Sequence, residues 1–327
     1  MVPRPNIVKD MGRLFFWYPI RWLVRLVPIY YIYWVGGILG DLDYLVSGSG
    51  RINKMAKNLS LVFGSDTKEL KKIVRKNLQN HGRNVLEFIK YPQLNSKNIG
   101  RFLSFENLEY LEKEISKQKG VILATAHIGA KQLILVGLGL KGYKLNQMNY
   151  HMNASELSYV QKNISQRHRK KIEKSIPADF ISSNQFLRPA MNCLKENQIL
   201  VVAADGIGLR AHMNSGYSAF SFFGNQVLFP SKVISLARRT GSPIVPTFVI
   251  RNKRRHRIIF EPAIEMGAES DQDVFRGYIK ILEKYIGQYP HLWEFWEEFE
   301  EGTMMVKSQK QCDSVAAESN NAFSSSG

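Results

Sequence analysis

Apolar positions divide the chain into three regimes. Between Leu14 and Gly40 they run almost unbroken, in the stretch Leu-Phe-Phe-Trp-Tyr-Pro-Ile-Arg-Trp-Leu-Val-Arg-Leu-Val-Pro-Ile-Tyr-Tyr-Ile-Tyr-Trp-Val-Gly-Gly-Ile-Leu-Gly. Over residues 52–63 and 68–91 they recur at helical spacing, with Ile73, Leu78, Val85, Leu86, Phe88 and Ile89 on one face. From about residue 100 the pattern changes again. A charged helical stretch at 107–119 leads through Gly120 into the continuous apolar run 121–126, which has the length and composition of a buried parallel strand. The spacing then predicts a helix at 133–140, a strand at 143–148, a basic helix at 155–174, a strand at 179–181 and a helix at 185–195. A second buried strand at 199–204, a helix at 231–239, strands at 243–250 and 257–260, and a helix at 271–289 complete the series. Strands alternating with helices predict an α/β fold with a mostly parallel central sheet flanked by helices. The expected organisation is a membrane-anchoring helical segment over 1–45, an α/β domain over 46–305, and a Ser-, Gln-, Asn- and Ala-rich tail over 306–327 read as disordered.

The first segment is too interrupted to span a bilayer. Arg21, Arg25, Pro19 and Pro28 break it, and its longest charge-free piece, residues 26–40, falls short of the roughly 20 residues a spanning helix needs. No small-residue cleavage site follows it, as a secretory signal requires. Trp17, Trp22 and Trp34 with several tyrosines, interleaved with arginines, instead have the composition of an interfacial anchor. The alternative is an aromatic helix buried in the protein's own core. Charge sharpens the picture: the 327 residues carry 45 Lys/Arg against 28 Asp/Glu, a net +17, and residues 1–90 hold 15 basic and 6 acidic side chains. Further basic clusters lie at 166–171 and 251–257, and acids gather at 293–301. Hydrophobic residues make up 44% and aromatics 11%, enough for a sizeable core. Two cysteines, Cys193 and Cys312, exclude a disulfide framework and place the chain on a reducing side. The +17 leaves a nucleic acid, a membrane surface or an acidic substrate as partners. The aromatics sit in the anchor rather than among the basic runs, which disfavours nucleic acid.

In open α/β sheets, ligands bind beyond the carboxyl ends of the strands. Two expected strands end in chemically useful side chains: His127 after 121–126, and Asp205 after 199–204. A lone strand-end histidine is often structural, and Asp205 is equally readable as a strand-end cap. No Gly-x-x-x-x-Gly-Lys-Ser/Thr loop and no Gly-x-Ser-x-Gly elbow occurs, Gly206-Ile207-Gly208 is too short for a dinucleotide site, and the histidines are not at metal-ligand spacings. Neither a cofactor nor a metal is expected.

Taken in order, these features resemble the lipid A biosynthesis late (lauroyl/myristoyl) acyltransferase family. His127-Ile128-Gly129-Ala130-Lys131-Gln132 stands where that family has H-x-G-N-W-E after an apolar strand. Asn58-Leu59 through Phe63 resembles its early Asn-Leu-x-x-x-Phe helix, and Ala203-Ala204-Asp205 its strand-end Asp. Phe222-Phe223-Gly224, Leu236-Ala237-Arg238-Arg239-Thr240-Gly241, Pro243-Ile244-Val245-Pro246 and Tyr289-Pro290 with Trp293 and Trp296 follow in the family's order. The resemblance implies acyl transfer from an acyl carrier protein or coenzyme A thioester to a hydroxyl of an anionic glycolipid or phospholipid, at the cytoplasmic face of a bacterial inner membrane. It implies His127 as general base, Gln132 as its orienter, and Gly129, Arg167, Asp205, Phe223, Gly224 and Arg238 around the substrate. The basic clusters at 166–171 and 251–257 suit phosphates of the acceptor or an acidic carrier.

One departure stands out. Gln132 occupies the position of the family's acid, and an amide can accept a bond from an imidazole N–H but supplies no charge; in a serine-protease triad the equivalent change costs about 10⁴ in rate. Three readings follow: an enzyme working with Gln132, another acid swung in from elsewhere, or a catalytically weak lipid-binding relative.

Overall fold

The computed structural model describes residues 7–149, 157–182, 187–206 and 216–306. The chain enters through helices α1 (Ile7–Phe15), α2 (Arg21–Leu26), α3 (Ile29–Val46), α4 (Gly48–Phe63) and α5 (Thr67–Lys90). Pro19, which lacks an N–H, sits in a π-helical turn between α1 and α2. Val27, before Pro28, adopts φ −75° and ψ 134°, the extended conformation that a following proline imposes, and so ends α2. Asp66 caps α5 by accepting from the N–H groups of Lys68 and Glu69.

The apolar first segment is not a detached anchor. Gly36 and Gly40 of α3 lie directly against α5, where Gly82 faces them. A Cβ on Gly40 would stand 2.3 Å from the Gln79 backbone, and one on Gly82 would stand 2.3 Å from the Gly36 carbonyl. Ile32 and Val24 are buried on the same side, while Leu26, Trp22, Trp34, Ile38 and Leu45 face outward. The segment therefore packs one narrow face into the core and leaves a larger apolar surface exposed. No helix among the described residues is long and apolar enough to cross a membrane.

The remaining elements are β1 (Leu103–Glu106), α6 (Leu108–Ser116), β2 (Val121–Thr125), α7 (Leu133–Leu140), β3 (Leu145–Asn149), α8 (Gln166–Glu173), β4 (Asp179–Ser182), α9 (Arg188–Lys195) and β5 (Ile199–Ala203). Then follow β6 (Ser218–Phe222), β7 (Asn225–Phe229), α10 (Lys232–Thr240), β8 (Ile244–Asn252), β9 (Arg255–Phe260) and α11 (Asp271–Gln288). Among the described residues, seven strands form one mixed sheet in the order β1-β9-β8-β2-β5-β3-β4. Every pairing is parallel except β8 with β9. The expected strands and α7 are all present. Two features lie outside the sequence expectation. β1 is a four-residue edge strand with one buried side chain, too short to show a period, and β6–β7 form a separate hairpin. Helices pack on both faces, and β2, with every residue buried, runs through the middle. The tail from 307 and parts of the expected elements at 155–174 and 185–195 lie outside the described residues.

Candidate active site

Strand register builds the site. β2 pairs in parallel with β5, Thr125 opposite Ala203. Two residues further along each chain, His127 and Asp205 therefore meet at the carboxyl edge of the sheet. His127 Nδ1 lies 2.7 Å from Asp205 Oδ1, and the His127 backbone N–H donates to Oδ2 at 2.7 Å. The Trp293 indole N–H donates to the same Oδ2 at 3.1 Å. Asp205 is buried with three donors on its two oxygens, which fix its rotamer and its charge. Burial alone would raise its pKa, but the His127 and Lys131 charges and the hydrogen bonds override that and hold it below the usual carboxylate range.

His127 is buried too, and desolvation pushes its pKa below the ordinary imidazole value despite the pull of Asp205; the Lys131 charge adds to the depression. A neutral ring that donates through Nδ1 to a carboxylate keeps its lone pair on Nε2. The Lys131 ammonium contacts that Nε2. Desolvation brings Lys131 down to about 8 against the support of Asp205 and Glu294, and the field of Arg169 on α8 contributes. The Phe295 ring lies 4.6 Å from the imidazole, shielding it from water.

A second backbone layer holds the histidine in place. Residues 292–294 run antiparallel to 127–129: the Gly129 N–H donates to the Leu292 carbonyl and the Glu294 N–H to the His127 carbonyl, each at 2.9 Å. Three asparagines clip this segment and the turn together. Asn58 donates to the Trp296 carbonyl at 2.8 Å, and Asn77 to the Trp293 carbonyl at 2.6 Å. Asn84 bridges the Gly129 carbonyl and Glu294 Oε1, at 3.0 Å each. Gly129 has φ 58°, and a Cβ there would meet the Val249 carbonyl at 2.3 Å, so only glycine fits this turn.

Several sequence expectations are revised by this geometry. Asp205, not Gln132, is the partner of His127. The tight turn at Gly129 returns Lys131 to the ring, while Gln132 stands half-buried at the start of α7 with no hydrogen bond to the imidazole. The reading of another acid swung in from elsewhere is the one this arrangement fits. The Gly129 N–H is spent on Leu292, so it is no oxyanion donor. Arg167 projects to solvent on α8, and it is Arg169 whose charge reaches Lys131. Phe223 and Gly224 form the two-residue turn of the β6–β7 hairpin, with φ 47° and 77°; it is Phe222 that packs on Trp293, 5.8 Å between rings. Arg238 directs its nitrogens to Asp271 and to the carbonyls of Gly267 and Glu269, which ties down that loop rather than an anionic substrate. Lys131 and Asn84 were not singled out from sequence. The i+4 spacing of Lys131 from His127 carries a signal only once a turn, not a helix, is known to join them.

His168 on α8 stacks on Trp17 at 5.3 Å, so the helix that bears Arg169 also touches the aromatic segment. Comparison with known proteins adds a family to this geometry. Among solved structures, one that is similar is the 1-acyl-sn-glycerophosphate (LPA) acyltransferase PlsC from Thermotoga maritima. It is 13% identical, covers 78% of this chain and 97% of its own, and has a TM-score of 0.36. Among curated proteins, none matches. The profile of the bacterial lipid A biosynthesis acyltransferases matches residues 9–297, which includes the N-terminal helices, the His127–Asp205 pair and the clamp of residues 292–294. With that match covering most of its length, the chain belongs to the bacterial lipid A biosynthesis acyltransferase family and is an enzyme that transfers acyl groups to lipid.

Proposed function

We propose that the enzyme moves a fatty acyl chain from an acyl carrier protein or coenzyme A thioester to a hydroxyl of a phosphorylated glycolipid or lysolipid, a lipid A-like acceptor favoured, at the cytoplasmic face of a bacterial inner membrane. The His127–Asp205 pair at the carboxyl edge of the sheet carries this reading. The exposed aromatic face of the N-terminal helices beside α8 supports a lipid acceptor delivered from a membrane.

The chemistry follows from the atoms. The acceptor hydroxyl displaces Lys131 from Nε2 of His127 and hydrogen-bonds there. As its oxygen attacks the thioester carbon, Nε2 takes the proton and the carbonyl π electrons move onto the carbonyl oxygen. Asp205 stabilises the imidazolium that forms. The oxyanion needs a donor in a water-poor site, and with the Gly129 N–H occupied, the displaced Lys131 ammonium is the cation at hand. Collapse re-forms the carbonyl, breaks the C–S bond and releases the thiolate, which recovers the proton from Nε2. The acyl ester leaves and no covalent enzyme intermediate forms.

The test is acyl transfer by the His127→Ala variant, in membranes supplied with acyl thioester and lipid acceptor. Transfer is expected to vanish in a folded protein; transfer at the wild-type rate refutes the base assignment.

A further inference from the structure

A cavity of about 1150 Å³, lined by none of the residues around His127, lies between α3, α5 and the β8–β9 turn. Its lining includes Tyr33, Trp34, Arg83, Lys253, Arg254 and Arg255. Arg257 also lines it but pairs with Glu106 at 2.8 Å. The lining carboxylate, Asp41, is already held by Arg75 at 2.6 Å and Gln79 at 2.8 Å. Among the described residues, Lys253, Arg254 and Arg255 have no carboxylate partner: Arg254 stacks 3.5 Å above Tyr30, and Arg255 donates to the Gly100 carbonyl. Behind Tyr33 lies buried Arg251, 5.2 Å from the ring, but Glu87 compensates its charge at 2.8 Å and it does not line the groove, so the free cations are those of the β8–β9 turn. Uncompensated cations therefore crowd one groove.

Its rim decides the occupant. Trp34, Ile38 and Tyr30 on α3 are more than half exposed, so an apolar and aromatic edge runs beside a cationic loop. A soluble phosphate needs the cations but not the edge. A membrane surface uses both, since tryptophan and tyrosine settle at headgroup depth while lysine and arginine reach the phosphates. We propose that the groove between α3 and the β8–β9 turn binds the phosphate headgroup of an acidic phospholipid and seats the enzyme on acidic membrane patches. The proposal rests on the membrane association argued above, but is separable from it.

The full-length protein is sedimented with vesicles of phosphatidylcholine alone, or of phosphatidylcholine with phosphatidylglycerol. Wild type is expected to partition more strongly onto the acidic vesicles. The triple variant Lys253→Glu/Arg254→Glu/Arg255→Glu is expected to lose that preference by at least about tenfold, since each basic residue near an acidic surface contributes about fivefold. Binding of the variant to phosphatidylcholine and the thermal midpoint are expected to stay at wild-type values, which separates the groove from general membrane affinity and from folding. A variant that keeps the full acidic preference overturns the proposal, as does a triple variant whose sole defect is weaker binding of an acidic carrier protein. Wild type binding both vesicles equally overturns the groove alone, while wild type binding neither overturns the membrane reading with it.

Discussion

Among the described residues, two buried histidine–carboxylate pairs stand out, and they have opposite fates. At the sheet edge, Asp205 is saturated by donors and His127 turns its second nitrogen toward Lys131. Beside β9, His256 sits 3.3 Å from Glu87 through Nε2, packs against Phe102, and has an Nδ1 with no partner among the described residues. Arg251 closes over Glu87 at 2.8 Å. Burial pushes Glu87 up, but Arg251 and His256 override it and hold the carboxyl below its ordinary value. Both imidazoles are pushed down by desolvation. Burial and a carboxylate therefore do not distinguish a reactive histidine from a structural one. Position does: His127 stands beyond a strand end, whereas His256 lies within a strand and presents no nitrogen to a substrate.

That contrast can be broken experimentally. Asp205→Asn should lower kcat by about 10⁴ with a modest change in melting temperature, because tautomer control and imidazolium stabilisation go together. Glu87→Gln should do the reverse. It leaves the Arg251 charge buried and unpaired, and should cost about 3–5 kcal/mol of stability by denaturant titration, with activity per folded molecule retained. Equal kinetic losses in the two variants would erase the distinction between the pairs.

The next effect concerns Lys131. In the proposed mechanism protonated Lys131 is the cation that meets the oxyanion, so Lys131→Met should lose about 10²–10³ in kcat. Its pKa is about 8, and His127 titrates below the ordinary imidazole value. The rate should therefore be level near neutral pH, with His127 already unprotonated, and fall above about pH 8 as the ammonium loses its charge. Lys131→Arg should remove that alkaline fall, since a guanidinium stays charged. A pH–rate profile for the three proteins checks this, and an alkaline limb that survives in the Arg variant assigns it elsewhere. The smallest effect belongs to Gln132. With its side chain away from the imidazole, Gln132→Ala should change kcat/KM by no more than about twofold, and a large loss would restore it as a partner of His127.

The alternation of buried strands and helices was visible in the apolar pattern, and both strand-end residues were visible with it. What no linear reading supplies is adjacency. β2 and β5 are neighbours although β3 and β4 intervene in the chain, and sequence order gives no hint that β5 inserts beside β2. Without that pairing, His127 and Asp205 are separate candidates and Gln132 looks like the nearest partner. Trp293 and Asn58 were marked by the family-like order of motifs, but their purpose, clamping residues 292–296 against the histidine turn, depends on contacts 88 residues apart for Trp293 with Asp205 and 238 apart for Asn58 with Trp296. In the motif at 222–224, Phe223 and Gly224 with successive positive φ values make the hairpin turn, and the contact with Trp293 comes from Phe222, a division of labour that the linear motif does not show.

The glycine contact between α3 and α5 has a mechanical meaning. Gly36, Gly40 and Gly82 bring the two backbones directly together, and the Arg83 side chain of α5 lies over Gly37 and donates to the Tyr33 carbonyl, which ties the crossing down. α5 also carries Asn84, which holds the Gly129 turn. The outward face of α3 and the imidazole of His127 are thus fixed in one frame, like two marks on a ruler. Under the membrane seating proposed above, the base would sit at a set height over the surface, and acceptor hydroxyls would be sorted by how far they stand from it.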